Sequence, residues 1–303
     1  MITRRQFMTR IAALAAGVSI RPAKARPEGP PIRVAVSMDT LAGVNVNDAR
    51  AAYRVWGDEI ARTLAMRHSE MLSQVFIPSA ELLQMIREGR VDCFALTALE
   101  YARILDYLDP AWMVVEDYAV PGLEYLLLVR DDSPFHSLKD LRNTKLLVHH
   151  HRDTCLLEPW ITIRLAAEGL GPFDGFFGAP ETRDKVSEVI LPLFFGSIQA
   201  AALTQRSFAT AVELNPQLGR QLRVLATSPS LIPAGFWFRK GCDPADKLAF
   251  QESVLRLNSV PAGRQVLALY QSTGFCERPC SIMRPTLELI GQYNKLRSRG
   301  ARR

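Results

Sequence analysis

Short apolar runs alternate along the first part of the chain with amphipathic segments of helical period. The alternation predicts strands and helices joined by short links, which is typical of βα units and a mostly parallel sheet. Ser79 and Gly89 have the residue types that start and stop a helix. The predicted strands are 32–37, 71–77 and 91–96, and the predicted helices are 48–66 and 79–88.

The pattern is interrupted around Ala119-Val-Pro-Gly122, and a second series of the same kind follows. Strands are predicted over 123–130, 145–151, 222–227 and 234–239, and helices over 159–168, 198–205, 244–258 and 261–271. No internal repeat is evident.

These two series predict a two-lobed α/β fold. Lobe 1 is expected to comprise residues 26–120 plus 235–303, and lobe 2 residues 121–234. Two chain crossings would then form a hinge, and the interlobe cleft would hold a small molecule.

The N-terminal segment has the features of an export signal. Arg4 and Arg5 form a pair, and a large apolar residue, Phe7, follows. The apolar run 11–20 is too short to span a bilayer, and Ala23-Lys-Ala25 is a small-x-small cleavage site. We expect residues 1–25 to be a signal peptide that the twin-arginine translocase reads, which predicts a periplasmic protein. An ordinary amphipathic first helix is the alternative.

Removing this segment changes the charge balance. The whole chain has a formal charge of +6, but the leader carries five basic residues and no acid, which leaves 32 basic and 31 acidic residues. The remaining basic cluster is C-terminal and is typical of a solvated tail: Lys295, Arg297, Arg299, Arg302 and Arg303. We therefore expect no nucleic-acid partner.

Five cysteines in an oxidising compartment cannot all pair within one chain. Cys276 and Cys280 are close enough in sequence for a local disulfide if Pro279 places a turn between them, and the sequence leaves this pairing open. Cys93 lies in an apolar run and is expected in the core.

Several segments together resemble a known family. They are Ser79–Leu96, which contains the Gly89-Arg-Val-Asp92 turn, Ser137-Leu-Lys-Asp-Leu-Arg142, Phe195-Gly-Ser197 and Ser272-Thr-Gly-Phe275. In order and spacing, over residues 32–275, they resemble the periplasmic solute-binding proteins of ABC importers, specifically the phosphate/phosphite/phosphonate-binding family. The resemblance implies a type II periplasmic-binding fold, a membrane permease as partner, and no enzymatic activity or cofactor.

The anion-binding segment of that family is altered in this chain. The family has Ser-Thr-Ser-Gly-Tyr-Leu-x-Pro, where helix N-terminal N–H groups and hydroxyls hold the anion. Arg152-Asp-Thr-Cys-Leu-Leu-Glu-Pro159 takes its place, with Thr154 as the remaining hydroxyl. Asp153 would repel a dianionic phosphonate by several kcal/mol at an effective dielectric near twenty, although Arg152 offsets this.

Two further departures concern the ligand's amine. The family's Gly-Ser-x-acid pattern appears as Gly196-Ser-Ile-Gln199, and its Gly-x-Val-Asp-Ala stretch as Arg206-Ser-Phe-Ala-Thr-Ala211. Without these carboxylates, specificity for 2-aminoethylphosphonate is not expected.

The resemblance also places lobe 1 contributors in Met38-Asp-Thr40 and Thr97-Ala-Leu-Glu-Tyr101, although Asp39 and Glu100 are more often cap or surface carboxylates. The predicted pocket residues are Thr97, Tyr101, His149, His151, Arg152, Asp153, Thr154, Ser197 and Gln199. Arg152 is expected to pair with a small anionic ligand.

The run His149-His-His151 allows a second hypothesis. Alternate residues of a strand share a face, so His149 and His151 point together, with Asp153 and Cys155 close behind. Imidazole, carboxylate and thiolate suit zinc, copper or nickel, which makes a metal or metal-chelate binding protein an alternative. Histidines that form hydrogen bonds in a pocket or hinge are the simpler interpretation.

Two other functions remain open from sequence. A thiol at a helix N-terminus beside histidines would have a lowered pKa, so Cys155 is a candidate nucleophile, but no orienting group or oxyanion arrangement accompanies it. A periplasmic sensor that presents its ligand-bound shape to a membrane partner would share the same binding step. We expect a solute-binding protein.

Overall fold

The computed structural model describes residues 32–63, 76–117, 122–269 and 272–300. The predicted signal peptide, and residues 71–75 of the second predicted strand, lie outside the described residues. The described residues belong to one structural unit, Ile32–Arg303.

The strands fall into two sheets. In chain order they are β1 Val34–Ser37, β2 Phe76–Ile77, β3 Cys93–Thr97, β4 Trp112–Glu116, β5 Tyr125–Arg130, β6 Leu146–His149, β7 Glu181–Arg183, β8 Ala200–Thr204, β9 Leu222–Thr227, β10 Ala234–Phe238 and β11 Phe275–Pro279. The first sheet has the order β11-β4-β10-β3-β1-β2 and the second the order β7-β6-β8-β5-β9. The first sheet therefore draws its strands from both ends of the chain, and the second from the middle.

Each sheet has a parallel part and an antiparallel part. In the first sheet β1 pairs in parallel with β2 and β3, whereas β10 runs antiparallel to β3 and β4. In the second sheet β6 pairs in parallel with β7 and β8, whereas β5 runs antiparallel to β8 and β9. The loops after β1, β3, β6 and β8 therefore emerge at carboxyl-terminal strand edges, where ligand sites of α/β proteins lie.

Helices connect and cover these strands. They are α1 Val46–Thr63, α2 Ser79–Arg87, α3 Ala98–Tyr101, α4 Leu157–Ala167, α5 Val186–Phe194, α6 Gln205–Leu214, α7 Pro216–Gln221, α8 Pro244–Leu255, α9 Pro261–Leu269 and α10 Arg284–Gly300. Helix α2 ends as predicted, because Gly89 takes a positive φ of 70° behind the last turn.

The prediction of a helix over 198–205 was wrong. Residues 200–204 form β8, which lies between β6 and β5 and is buried at every position. Alanine has a high intrinsic helix propensity, but a strand buried on both faces has no polar positions from which its period can be recognised.

The two sheets contain the same strand unit. Asp92 accepts a hydrogen bond from the backbone N–H of Arg33 at 3.1 Å, and Gln199 accepts one from the N–H of Lys145 at 3.1 Å. In each unit a glycine of positive φ precedes a five-residue buried strand, and that strand ends in a threonine that caps the next helix. The Gly196–Thr204 segment is thus the structural counterpart of Gly89–Thr97, a repeat that the sequence analysis missed.

The chain passes between the sheets at a paired crossing. The Leu123 N–H donates to the Leu231 carbonyl at 2.6 Å, and the Leu231 N–H donates back to Leu123 at 2.9 Å. Gly122, at φ 99°, lies so close that a Cβ atom would sit 2.6 Å from the Leu231 oxygen. The crossing is therefore a short two-stranded ribbon that excludes a side chain at Gly122.

The C-terminal helix α10 links the two sheets a second time. It follows β11 of the first sheet and packs on α4, which follows β6 of the second sheet. The Tyr293 hydroxyl donates to the Glu158 carboxylate at 2.9 Å, and the Ile232 N–H donates to the Thr286 hydroxyl at 2.9 Å.

The cysteine pairing left open by sequence is not formed. Cys276 lies within β11 and Cys280 directly after it, so extended backbone separates their Cα atoms by about 13 Å, too far for a disulfide. Pro279 is the last residue of the strand and makes no turn between them. Cys93 is fully buried, as expected.

Candidate functional site

A cavity of about 510 Å³ lies where loops of the two sheets meet. Its volume is in the range typical of small-molecule sites. Residues from around the first sheet that line it are Asp39, Ala42, Ser79, Thr97, Leu99, Glu100 and Arg103, and those from around the second are Val148, His149, His150, His151, Arg152, Thr154, Cys155, Glu158 and Thr182.

The wall from the first sheet is a closed hydrogen-bond network. Thr97 caps α3: its hydroxyl accepts from the Glu100 N–H at 3.4 Å, and the Glu100 carboxylate accepts from the Thr97 N–H at 2.7 Å. The Ser37 hydroxyl donates to the other oxygen of Glu100. These bonds hold the buried Glu100 carboxylate in place, so Glu100 is chiefly a capping group. Thr97 lines the cavity, but its hydroxyl is already hydrogen-bonded to Glu100.

The wall from the second sheet is the loop 149–154. His151 caps a 3-10 turn, Arg152–Thr154, by accepting from the Asp153 N–H at 3.2 Å through Nδ1. The Thr154 hydroxyl accepts from the His151 N–H at 3.1 Å and lies 2.7 Å from the carbonyl oxygens of His149 and His151. Thr154 therefore holds the loop together rather than offering a free donor to a ligand.

This loop is seated against the turn that follows β1. The Arg152 N–H donates to the Ala42 carbonyl at 3.2 Å. Gly43 has φ 79°, and a Cβ atom on it would lie 2.8 Å from Cδ2 of His151. Only glycine fits this contact between loops of the two sheets.

Arg152 forms an ion pair with Glu116, the last residue of β4. Both side chains are buried. The Arg152 Nε lies 3.6 Å from an Asp153 oxygen, and Nη1 of the half-exposed Arg206 lies 4.0 Å from the second Glu116 oxygen. Glu116 and Arg152 also border a smaller void of about 20 Å³ beside Thr40. Two guanidinium groups and two carboxylates thus form a charge-balanced cluster between the sheets.

The ionisation of Asp153 follows from this cluster. Burial raises its pKa, but the Arg152 charge and the hydrogen bond with His151 outweigh burial, so the pKa of Asp153 lies below its usual value. Asp153 is therefore ionised at neutral pH. It points toward Arg152 and His151, and it is not part of the cavity wall.

His149 and His151 share a face, as the strand pattern predicts. Their rings stack in parallel, with centroids 5.6 Å apart. The His149 Nε2 lies 3.3 Å from the Asp184 carbonyl, and its buried Nδ1 has no hydrogen-bond partner among the residues that the structure describes. Burial, and then the charge of His151, lower the pKa of His149, so this ring is neutral at pH 7 and lines the cavity.

The geometry does not support the metal hypothesis. Parallel stacked rings do not direct their nitrogen lone pairs at one point, and Nδ1 of His151 already accepts from a backbone N–H. Within the described ranges, no three His, Cys, Asp or Glu side chains converge as metal ligands.

The nucleophile hypothesis for Cys155 conflicts with its surroundings. The thiol donates to the Pro233 carbonyl at 3.4 Å. Burial, and then the negative charge of Asp153, raise the pKa of Cys155. A catalytic thiol needs the opposite shift.

Tyr101 does not reach the cavity. It stacks on Trp237 in the first-sheet core, with ring centroids 4.5 Å apart, and its hydroxyl interacts with Cys280. The sequence prediction differs from the structure because Tyr101, the last residue of α3, lies on the face that packs onto β10.

Ser197 and Gln199 also lie elsewhere. Gln199 binds the backbone of Lys145, at the amino-terminal end of β6, whereas His149 is at the carboxyl end of that strand, about 13 Å away. Ser197 is exposed on the same far edge. The structure therefore does not bring these two predicted residues to the cavity that His149 lines.

Sequence reasoning missed Glu116, Ser79 and Arg103. Ser79 and Arg103 line the cavity, and Glu116 binds Arg152. Glu116 ends an apolar run that starts at Trp112, and a carboxylate in that position was the available signal. Asp39, treated as a cap or surface residue, lines the cavity, and burial followed by the charge of Glu100 raises its pKa.

Comparison with known families gives one match. The model of a family described as "ABC transporter, phosphonate, periplasmic substrate-binding protein" matches residues 43–278. A search of curated protein sequences found no match.

Solved structures share the fold at low sequence identity. The protein XAC2383 from Xanthomonas citri, solved bound to ATP, is 19% identical with a TM-score of 0.62, over 88% of this chain and 98% of that one. PhnD1 from Prochlorococcus marinus, in complex with methylphosphonate, is 14% identical with a TM-score of 0.58, over 88% and 100%. A binding protein component of an ABC phosphonate transporter from Pseudomonas aeruginosa is 14% identical with a TM-score of 0.57, over 86% of each chain. These similarities confirm the predicted fold class.

Proposed function

Since this chain belongs to the family of periplasmic substrate-binding proteins of phosphonate ABC transporters, we propose that it captures a small anionic ligand between two lobes and delivers it to a membrane permease. The family is one of solute-binding transport proteins and not of enzymes, which agrees with the raised pKa of the Cys155 thiol. The observation that carries the proposal is the cavity of about 510 Å³, which loops of both sheets line and into which the Arg152 segment projects.

The lobes are proposed to be residues 26–120 plus 235–303 and residues 121–234. The sheet composition supports this division, since the strands of the second sheet all fall between Tyr125 and Thr227. The paired crossing of Leu123 and Leu231 is suited to act as the hinge, because few residues there have to change their backbone angles. Ligand contacts from both lobes would stabilise the closed form.

The anion site is proposed to differ from that of the family. The Thr154 hydroxyl is already hydrogen-bonded within its own loop, and Asp153 adds a negative charge. The positive charge of Arg152 would therefore take the place of the hydroxyls and helix N–H groups that hold the anion in the family. An arginine fork recognises carboxylate, sulfonate or phosphonate oxygens in pairs. We therefore propose an acid-group ligand held chiefly by Arg152, with His149 as a hydrogen-bonding neighbour.

Export by the twin-arginine translocase is proposed from Arg4 and Arg5. The family is periplasmic, and among the described residues no helix has the length and apolar character needed to cross a membrane. Changing both residues to lysine should retain the protein in the cytoplasm, as cell fractionation would show. Export that persists in this variant would contradict the assignment.

Thermal unfolding with a ligand panel tests the binding proposal. Methylphosphonate, phosphate, methanesulfonate, ATP and zinc are compared, since a ligand that binds only the folded chain raises the unfolding midpoint. We expect at least one oxyanion to do so, and the double variant Arg152→Gln with Glu116→Gln, which removes one positive and one negative buried charge together, to abolish the effect. Arg164→Gln, an exposed arginine on α4, is the control. A shift with zinc alone, or an anion effect that survives the double variant, would refute the proposal.

A further inference from the structure

The ion pair between Arg152 and Glu116 occupies the position at which an anionic ligand is expected to bind. Glu116 ends the last first-sheet strand before the chain crosses to the second sheet, and Arg152 follows the second-sheet strand β6. The pair therefore joins the two sheets through one buried carboxylate and one buried guanidinium.

A buried ion pair of this kind is hard to open without a substitute. Removing one partner leaves a buried charge without compensation, which is far more costly than leaving the pair intact. A ligand that presents an anion to Arg152 supplies that substitute.

A second cation, Arg206, lies close enough to pair with the displaced Glu116 carboxylate. Arg206 Nη1 lies 4.0 Å from Oε2 of Glu116, whereas Arg152 pairs with Oε1, and the Arg206 side chain is 42% exposed. A rotation of the Glu116 carboxylate toward this cation would keep its charge compensated after displacement.

We propose that the Glu116 carboxylate is an internal occupant of the anion site, and that a ligand bearing one singly charged acid group binds by exchanging with it at Arg152. This proposal rests on the proposed anion-binding function and specifies its ligand class. Glu116 therefore lowers the affinity of every ligand, since each must compete with it at Arg152.

The charge of the cluster selects a monoanion. One guanidinium compensates one negative charge, and Asp153 already lies 3.6 Å from Arg152. A dianion would hold its second charge beside Asp153 without a partner, at a cost of several kcal/mol at an effective dielectric near twenty. Sulfonates, carboxylates and singly ionised phosphonates meet this condition.

Titration calorimetry with two ligands tests the proposal. Methanesulfonate is a monoanion, and methylphosphonate is largely dianionic in the mildly alkaline buffer used. Wild type is expected to bind methanesulfonate more tightly. Glu116→Gln keeps the shape but removes the competing charge, so it should bind methanesulfonate about tenfold more tightly, equivalent to about 1.4 kcal/mol. Glu188→Gln, a partly exposed acid on α5 paired with Lys185, is the control and should match wild type.

Hydrogen exchange without ligand provides a second measurement. Loss of the pair should raise the exchange rate of residues 149–156 in Glu116→Gln relative to Glu188→Gln. If Glu116→Gln does not fold, a crystal structure of the wild-type chain with methanesulfonate replaces it. That structure should show sulfonate oxygens on Arg152 and the Glu116 carboxylate turned toward Arg206.

The outcomes separate the two proposals. Methanesulfonate binding to wild type with equal or weaker binding to Glu116→Gln, or a bound sulfonate beside an intact Glu116–Arg152 pair, overturns the exchange but leaves the anion-binding function. Tighter binding of the dianion overturns the monoanion preference. Failure of every anion to bind either protein overturns the function and the exchange together.

Discussion

Gln199 accepts a hydrogen bond from the backbone N–H of Lys145 at 3.1 Å, in the position in which Asp92 binds Arg33 in the other sheet. The side chain therefore joins the start of β8 to the start of β6. It is a structural residue of the strand unit that both sheets share.

Gln199→Ala should lower stability without affecting the site. Loss of one hydrogen bond predicts a decrease of about 1 kcal/mol in the free energy of unfolding, measured by urea denaturation. Gln199→Asp keeps an acceptor oxygen and is the control, expected close to wild type. A loss of anion binding in Gln199→Ala with unchanged stability would restore Gln199 to the ligand site.

Gly43→Ala should disturb the loop 149–154. The substitution combines a left-handed φ of 79° with a Cβ atom 2.8 Å from His151, and we expect a loss of about 2–4 kcal/mol in unfolding free energy. Gly175→Ala is a matched control, because its φ is 85° but nothing lies within 4 Å of the added atom. It should cost about 1 kcal/mol. Equal losses in the two variants would show that the contact with His151 is unimportant.

His149 should make the protein less stable in mild acid. Burial, and then the His151 charge, lower its folded-state pKa, so the unfolded chain takes up a proton first as the pH falls below about 6.5. The stability contributed by the neutral ring is thus complete above that pH, decreases as the pH falls, and levels off below the folded-state pKa. His149→Gln should flatten this dependence in urea unfolding measured from about pH 7.5 to 5. A slope that equals that of wild type would contradict the assignment.

Tyr101→Phe should leave anion binding unchanged, because the ring stacks on Trp237 in the core. Removing the hydroxyl that interacts with Cys280 should cost about 1 kcal/mol, whereas Tyr101→Ala should cost about 3–5 kcal/mol through loss of the buried ring. Calorimetry with methanesulfonate and urea unfolding measure the two properties. Weaker binding by a fully stable Tyr101→Phe would indicate a ligand contact instead.

The sequence predicted the α/β class and several elements because their signals are local. The strand after Ile32 and the helix that ends before Gly89 lie where apolar pattern and glycine place them. The strand 200–204 was mistaken for a helix because its burial depends on neighbours distant in the sequence. Local propensity cannot show such an environment.

The candidate site was predicted in part for the same reason. The loop 149–154 was identified because it replaces a contiguous motif, and Arg152 is its one buried cation. Its partner Glu116 belongs to another sheet, and only the folded chain brings the two together. Tyr101 and Ser197 were placed in the pocket by analogy along the sequence, without knowledge of which strand edge or helix face they occupy.

Helix α10 restricts the kind of motion that can separate the sheets. The helix follows β11 and packs on α4 through Tyr293 and Glu158, so any bending at the proposed hinge of Leu123 and Leu231 would be accompanied by sliding along the helix pair. Domain movements that slide packed helices have small amplitude, unlike those of a free hinge. If the proposed lobes separate in this way, the gap between them would be narrow, and its width would limit the size of the solutes that enter.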